Sequence, residues 1–274
     1  MADEGVTPPG LDVTRPNIAR VYDAFLGGKD NYAADRAVVE LALQVTPDAP
    51  AGARANRAFL RRVGRYLVAT AGIRQLVDIG SGLPTQGNVH EIAYAADPQT
   101  RVVYVDNDPV VGAHARALLG SNPSALIVTA DIREPAKIIE EDHVREFIDS
   151  DQPVGLLLVS ILHHINDHED PAGLVARLRE ALPSGSHLAI SSFHMPGPEH
   201  PEDAAKTVAM EQLFNEKLGT GRWRSHEEIL SWFGDWELLE PGLVPLPEWR
   251  PDVRGSTKRN AIYYGFVGGV ARKR

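Results

Sequence analysis

The sequence predicts an α/β fold, with a mostly parallel sheet covered by helices on both faces. Three observations predict it. From residue 75, five short runs rich in Val, Ile and Leu succeed one another: "QLVDIG", "RVVYVDND", "ALIVTAD", "VGLLLVSIL" and "SHLAISSF". Near-continuous apolar runs of this length suit strands buried on both faces. Helical stretches separate them, an alternation that argues for parallel strands joined by crossovers. The helix starts are also marked, because Asp108-Pro109 and Asp170-Pro171 each place an acid at the N-cap and proline in the first turn.

The elements follow in order. Residues 1–14 are acidic and rich in Pro and Gly, and read as a flexible leader without a signal- or transit-peptide pattern. Residues 15–74 read as a helical cap. Ile18, Val21, Tyr22 and Phe25 fall near helical spacing, and Gly27-Gly28 ends that helix before a second one. A third helix spans roughly 53–72, with Phe59, Leu60, Val63, Tyr66 and Leu67 on one face. The sheet domain occupies 75–274, with a loop and helix inserted at about 194–224. Ser225 and Glu228 have capping-box spacing before "EILSWF". "WELLEPGLV" and "NAIYYGFVGG" read as closing strands joined by a long loop, and the terminal "ARKR" as a solvated tail.

Composition narrows the function. The chain has 274 residues, a net charge of −9 and no cysteine. Zero cysteines exclude disulfides and thiolate chemistry, and a cytoplasmic home is the simplest match. No apolar run reaches the roughly 18 to 20 residues of a membrane span. Nucleic-acid binding usually needs a basic surface, so a small-molecule partner is favoured.

In an open parallel sheet, ligands bind beyond the carboxyl ends of the strands. Here the strand ends offer Asp78, Gly80, Ser81 and Gly82, then Asp106 and Asn107, then Asp131 and Ile132, with Ser160 ending the fourth. The glycines let the backbone turn sharply and let a ligand approach. Asp106 is placed to accept hydrogen bonds from both hydroxyls of a ribose. Asp131 would accept from an adenine amino group, and the Ile132 N–H would meet a ring nitrogen. A dinucleotide normally needs G-x-G-x-x-G, but "GSGLPT" carries Thr85 at the last position, and Pro84 removes an amide donor. Three acids would also repel phosphate. A phosphate-free adenosine compound with a cationic centre fits better, and S-adenosylmethionine is one.

With "DIGSG", "VDND", "ADI", "LLVSILHHI" and "LPSGSHLAIS" in that order, residues 75–195 resemble the class I S-adenosylmethionine-dependent methyltransferases. "PNIARVYDAFLGGKDNYAADR" and "GSGLPTQGNVHEIA" resemble, more narrowly, an actinobacterial, DUF574-like group of methyltransferase-like proteins. The resemblance implies a Rossmann-like, seven-stranded sheet with the last strand antiparallel. It also implies cofactor contacts from Asp78, Gly80, Gly82, Asp106, Asp131 and Ile132. Pro84 departs from the general class, where a third glycine is common.

Methyl transfer from a sulfonium needs alignment more than a fixed triad. His163 and His164, after the fourth strand, are candidates for a general base. His164 and His168 have i, i+4 spacing, but "HHINDHED" precedes the helix start, so no metal is expected. Tyr22, Asn31 and Tyr32 would form a lid at the methyl channel. Arg57 would pair with the cofactor carboxylate. Trp223 and Trp232 in "RWRSHEEILSWF" read first as packing, although with the "HMPGPEHPED" loop that region would also roof an aromatic acceptor pocket. The expected function is methylation of O or N on a small molecule. The alternatives are a non-catalytic cofactor-binding module and a nicotinamide-dependent oxidoreductase.

Overall fold

The computed structural model describes residues 12–84, 87–253 and 257–274. Most of the expected leader therefore lies outside the described residues. Helices α1 (Ile18–Phe25), α2 (Ala33–Val45) and α3 (Ala49–Arg65) come first, and α3 runs on through a π-helical turn, Tyr66–Thr70. Then follow β1 (Gln75–Ile79), α4 (Val89–Ala96), β2 (Arg101–Asp106), α5 (Pro109–Leu119) and β3 (Ala125–Thr129). Helices α6 (Pro135–Ile139) and α7 (Asp142–Phe147) lead to β4 (Gly155–Val159), and α8 (Pro171–Glu180) leads to β5 (His187–Phe193). The chain closes through α9 (Pro201–Leu218), α10 (His226–Ser231), β6 (Glu237–Leu238), β7 (Val244–Pro245), α11 (Ala261–Tyr264) and β8 (Phe266–Arg272).

The strands lie in the order β3-β2-β1-β4-β5-β8-β6, with β7 also pairing β8. The first five are parallel, whereas β8 runs antiparallel to β5, from Phe193↔Phe266 to His187↔Arg272. The winding reverses between β1 and β4, which pair at Val77↔Leu156. A crevice opens there beyond the strand ends.

Alternate residues on each strand feed opposite cores. Val77, Val103, Leu156 and Leu188 pack under α8 and α10 with Trp232 and Phe233. Leu76, Val102, Leu157 and Ala189 pack on the other face under Phe59, Leu60, Val63 and Leu67 of α3. So α3, expected in the cap, belongs to the sheet's own core. A third small core joins α2 and α9 through Ala42, Met210 and Phe214.

The expected caps are present. Asp108 accepts from Val110 N (2.8 Å), Asp170 from Gly173 N (3.0 Å) and Ser225 from Glu228 N (3.1 Å). A buried ion pair fastens α1 to α2: Asp35, fully buried, accepts from Arg20 Nε at 2.9 Å, Asn17 N at 2.9 Å and Tyr32 N at 2.8 Å. Removing one member of such a pair typically costs about 3–5 kcal/mol, because the other charge stays buried.

Three expectations need correction at the C-terminal end. The single strand expected at "WELLEPGLV" is two two-residue strands, so the sheet counts eight rather than seven. "NAIYYG" begins with a helical turn, α11, which Asn260 caps through Tyr263 N at 3.0 Å. The tail is not all solvated, for Ala271 is buried and β8 continues to Arg272. No helix of the described residues is long and apolar enough to cross a membrane.

Gly268 lets α3 approach β8. A Cβ there would stand 2.7 Å from Phe59 Cζ and 2.8 Å from Leu246 Cδ2. Gly268→Ala is expected to destabilise the protein by roughly 1–3 kcal/mol through overpacking, read as a lower midpoint in thermal or urea denaturation.

Candidate functional site

The site is built from the turn after β1. Gly80 has φ +74°, and a Cβ on it would lie 2.7 Å from Ile161, so both conformation and space demand glycine. Gly82 has φ +66° and nothing within 4 Å of where a Cβ would be. That empty volume opens into a cavity lined by Asp78, Ser81, Gly82, Asp106 and Asn107.

The amides of this turn are spent inside the protein. Gly80 N (2.8 Å) and Ser81 N (3.2 Å) donate to Val105 O, and Gly82 N donates to Asp106 Oδ2 at 2.8 Å. At the start of α4, Glu91 Oε2 accepts from Gly87 N (2.9 Å) and Asn88 N (2.8 Å). A pyrophosphate would meet no free donor at Gly80, Ser81 or Gly82, and a carboxylate already holds the first amides before α4. Pro84 offers none, and Thr85 lies outside the described residues.

Acids dominate this end instead. Asp106 Oδ1 accepts from Asp108 N at 3.0 Å, and each oxygen keeps a lone pair for a further donor. Burial raises the Asp106 pKa despite these bonds. Burial also pushes Asp78 up to about 7, against the pull of Arg57. Arg57 lines the cavity, with its guanidinium over the Tyr22 ring, 5.7 Å from the centroid. Crowded, desolvated acids suit a cationic ligand. The open volume at Gly82 and the unsaturated carboxylates fit S-adenosylmethionine, which carries positive charge and no phosphate.

The α1 helix forms the roof. Ile18, Tyr22 and Phe25, read from the sequence as one helical stripe, line the cavity, with Tyr22 among the expected lid residues. Asn17 caps α1 through Ala19 N (2.9 Å) and ties it to the β2 loop, donating from Nδ2 to Asp108 Oδ2 at 2.7 Å. Tyr22 Oη donates to Ala53 O (3.2 Å) and accepts from Asn56 Nδ2 (3.0 Å).

Two of the expected lid residues are placed elsewhere. Asn31 is not on the cavity wall; its Nδ2 donates to Asp23 Oδ2 and Gly28 O, both at 2.9 Å, and so closes the turn between α1 and α2. Tyr32 precedes α2, with the Arg20 guanidinium over its ring. Asp131 and Ile132 also lie off the main cavity. Asp131 pairs with Arg133 (3.1 Å), accepts from Asn107 Nδ2 (2.9 Å) and lines a neighbouring pocket that shares Asn107.

Ser160 has φ +65°, a strained conformation for a side-chain-bearing residue, at the cavity wall. His163 and His164 stand beside it, both buried. His163 Nδ1 accepts from Phe193 N at 3.2 Å, so the neutral ring keeps its hydrogen on Nε2, 3.4 Å from Ser160 Oγ. Desolvation lowers the His163 pKa well below the usual value and that of His164 to about 4.

Beyond the histidines the wall turns aromatic. The His163 ring stacks on Phe193 at 3.6 Å, and Phe193 stacks on Trp223 at 4.2 Å. Phe214, Met210 and Phe266 complete it. Trp232 instead fills the sheet core. Sequence reasoning missed Asn17, an ordinary N-cap, and Asn56 and Met210, which sit in ordinary helical patterns; only the placement of their helices distinguishes them.

A family model described as S-adenosyl methyltransferase matches residues 4–274. The chain belongs to that family. This methyltransferase superposes on the crystal structure of a candidate methyltransferase from Thermobifida fusca YX with TM-score 0.91 and 41% identity, covering 98% of this chain and 99% of that one. A DUF574 family protein from Streptomyces avermitilis MA-4680 gives TM-score 0.89 and 38% identity, covering 96% and 99%. An O-methyltransferase family 2 protein from Planctomyces limnophilus shares the fold, with TM-score 0.50 and 20% identity over 88% of this chain and 66% of that one. No functionally curated protein matches the methyltransferase.

The perturbed acid makes a pH prediction. Asp78 has a folded pKa of about 7 against an ordinary 3.8, so folding favours its protonated form. That contribution is complete at low pH and is lost as pH rises through 7. Ligand-free Asp78→Asn is therefore expected to melt above the parent at pH 8, with the gap closing towards pH 4. Thermal denaturation across that range checks it.

Proposed function

We propose that this methyltransferase moves a methyl group from S-adenosylmethionine to oxygen or nitrogen of a small-molecule acceptor held at the aromatic end of the cavity. One observation carries the reading: the turn amides are consumed internally while unsaturated carboxylates line the same wall. A nicotinamide dinucleotide would lack its phosphate donors there.

The residues divide the work. Asp106 holds the ribose hydroxyls, and Asn107 leads towards Asp131 and Ile132 on the adenine side. Gly80, Ser81 and Gly82 allow close approach, Asp78 faces the positive charge, and Arg57 receives the amino-acid carboxylate. Ser160 and Tyr22 bound the space where the two ligands meet. When bound, S-adenosylmethionine supplies a methyl group activated by a positively charged sulfur. The helices α1 and α9 exclude water and orient the acceptor, and positioning of this kind contributes on the order of 7 to 11 kcal/mol. His163 holds the wall through its bonds to Phe193 and Ser160 rather than taking a proton.

Asp106→Ala is expected to weaken S-adenosylmethionine binding by roughly 2 to 4 kcal/mol, since it removes charged hydrogen-bond acceptors. Isothermal calorimetry reads this, and unchanged affinity would overturn the ribose assignment. His164→Gln should keep turnover within a few-fold of the parent at pH 7. A loss of a hundredfold or more, with binding intact, would restore a base role.

A further inference from the structure

The acceptor end of the cavity has a composition that selects its ligand. Its walls are Phe193, Trp223, Phe214, Phe266, Met210 and Phe25. His163, Phe193 and Trp223 stack in parallel along that wall, with interplanar angles of 14° and 13°. Of the charged residues that line the cavity, Lys206 on α9 is the exposed one. Aromatic walls with an exposed cation suit an aromatic ring carrying negative charge.

Proton chemistry narrows it further. His163 has both ring nitrogens engaged, one accepting from Phe193 N–H and the other turned to Ser160. His164 has an unpartnered Nδ1, but burial and the nearby Arg133 leave it a weak base. Arg224 and His164 act on His163 in the same direction. On α1, burial keeps Tyr22 protonated, while Asp23 Oδ2 is held by Asp30 N and Asn31 Nδ2, both at 2.9 Å. Asp78 on β1 faces Arg57 on α3 and Asp106 on β2, at the cofactor end. Among the described residues that line the cavity, the unpartnered acceptors near this end are His164 Nδ1, which belongs to that weak base, and Asp23 Oδ1, which packs against Gly28. A neutral amine would leave a cationic product in an apolar chamber, at a desolvation cost. An oxyanion meeting a sulfonium leaves two neutral centres.

Resting on the methyltransferase reading above, we propose that the acceptor is a planar aromatic molecule methylated on an acidic hydroxyl that enters the cavity already ionised. The oxygen lone pair forms the new C–O bond, the methyl–sulfur bond breaks, and its electron pair stays on sulfur. No proton moves. Lys206 attracts the anion, and the stacked wall aligns its ring.

The test uses the full chain, S-adenosylmethionine and a panel of nitro- and halogen-substituted phenols of graded acidity. Anilines and aliphatic amines serve as comparators, with product read by mass spectrometry. Phenols should be methylated, and the rising limb of kcat/KM against pH should move with each phenol's own acidity. Lys206→Glu should lower kcat/KM for phenolates at least tenfold, while the Kd for S-adenosylmethionine changes less than twofold. A rising limb fixed at one pH for every phenol would reveal a base on the protein, Asp78 included, and overturn the proposal. Preferred turnover of amines, or no product from any phenol while calorimetry shows cofactor binding, would overturn it too. Absence of cofactor binding would instead remove the methyltransferase reading and the acceptor class together.

Discussion

Saturation of the backbone around Gly80–Gly82 is the constraint on which the site depends. Val105 O takes two amides and the Asp106 carboxylate takes the third. The same scaffold that binds pyrophosphate when such amides are free is thereby closed to it. What remains facing the cavity is carboxylate, and carboxylates buried this deeply resist ionisation, as the raised Asp78 and Asp106 show. A positively charged ligand would offset that burial cost, which is the electrostatic basis of the function proposed above.

The site divides into two chemical regions with separate structural origins. The polar region comes from the carboxyl ends of β1, β2 and β4, held by a register that both cores enforce. The aromatic region comes mainly from parts outside the parallel strands: α1, α9, Trp223 and α11. They meet through a few polar contacts, chiefly Asn17 to Asp108, and Asn56, whose Nδ2 reaches Tyr22 and whose Oδ1 accepts from Ser191 Oγ at 2.7 Å. The Arg20–Asp35 pair then keeps α1 and α2 moving as one piece.

Much of this was legible in the sequence, for identifiable reasons. The five strands announced themselves because buried parallel strands need continuous apolar runs, and Asp108, Asp170 and Ser225 marked their helices because capping chemistry is local. The crevice acids followed from their positions at strand ends. Legibility failed where tertiary placement decides. The stripe Ile18, Tyr22 and Phe25 has helical spacing whether it faces a core or a ligand. Asn31 and Tyr32 look like lid residues from their polarity, yet they serve the turn between helices. The last strands misled because β6 and β7 are only two residues long and the helical turn of Ala261–Tyr264 precedes β8.

The inserted segment has one more property. An isolated parallel bridge joins His194 to Arg224, with Met195 N donating to Arg224 O at 2.9 Å, so the two ends of the excursion carrying α9 lie side by side. The excursion is also fastened from beneath: Thr220 Oγ1 donates to His164 O at 2.7 Å, Arg222 N donates to His163 O at 2.8 Å, and Met210 and Phe214 share a small core with Ala42. Any exchange of the segment therefore has to keep its paired ends and these footings, while Asp78 and Asp106 lie outside it.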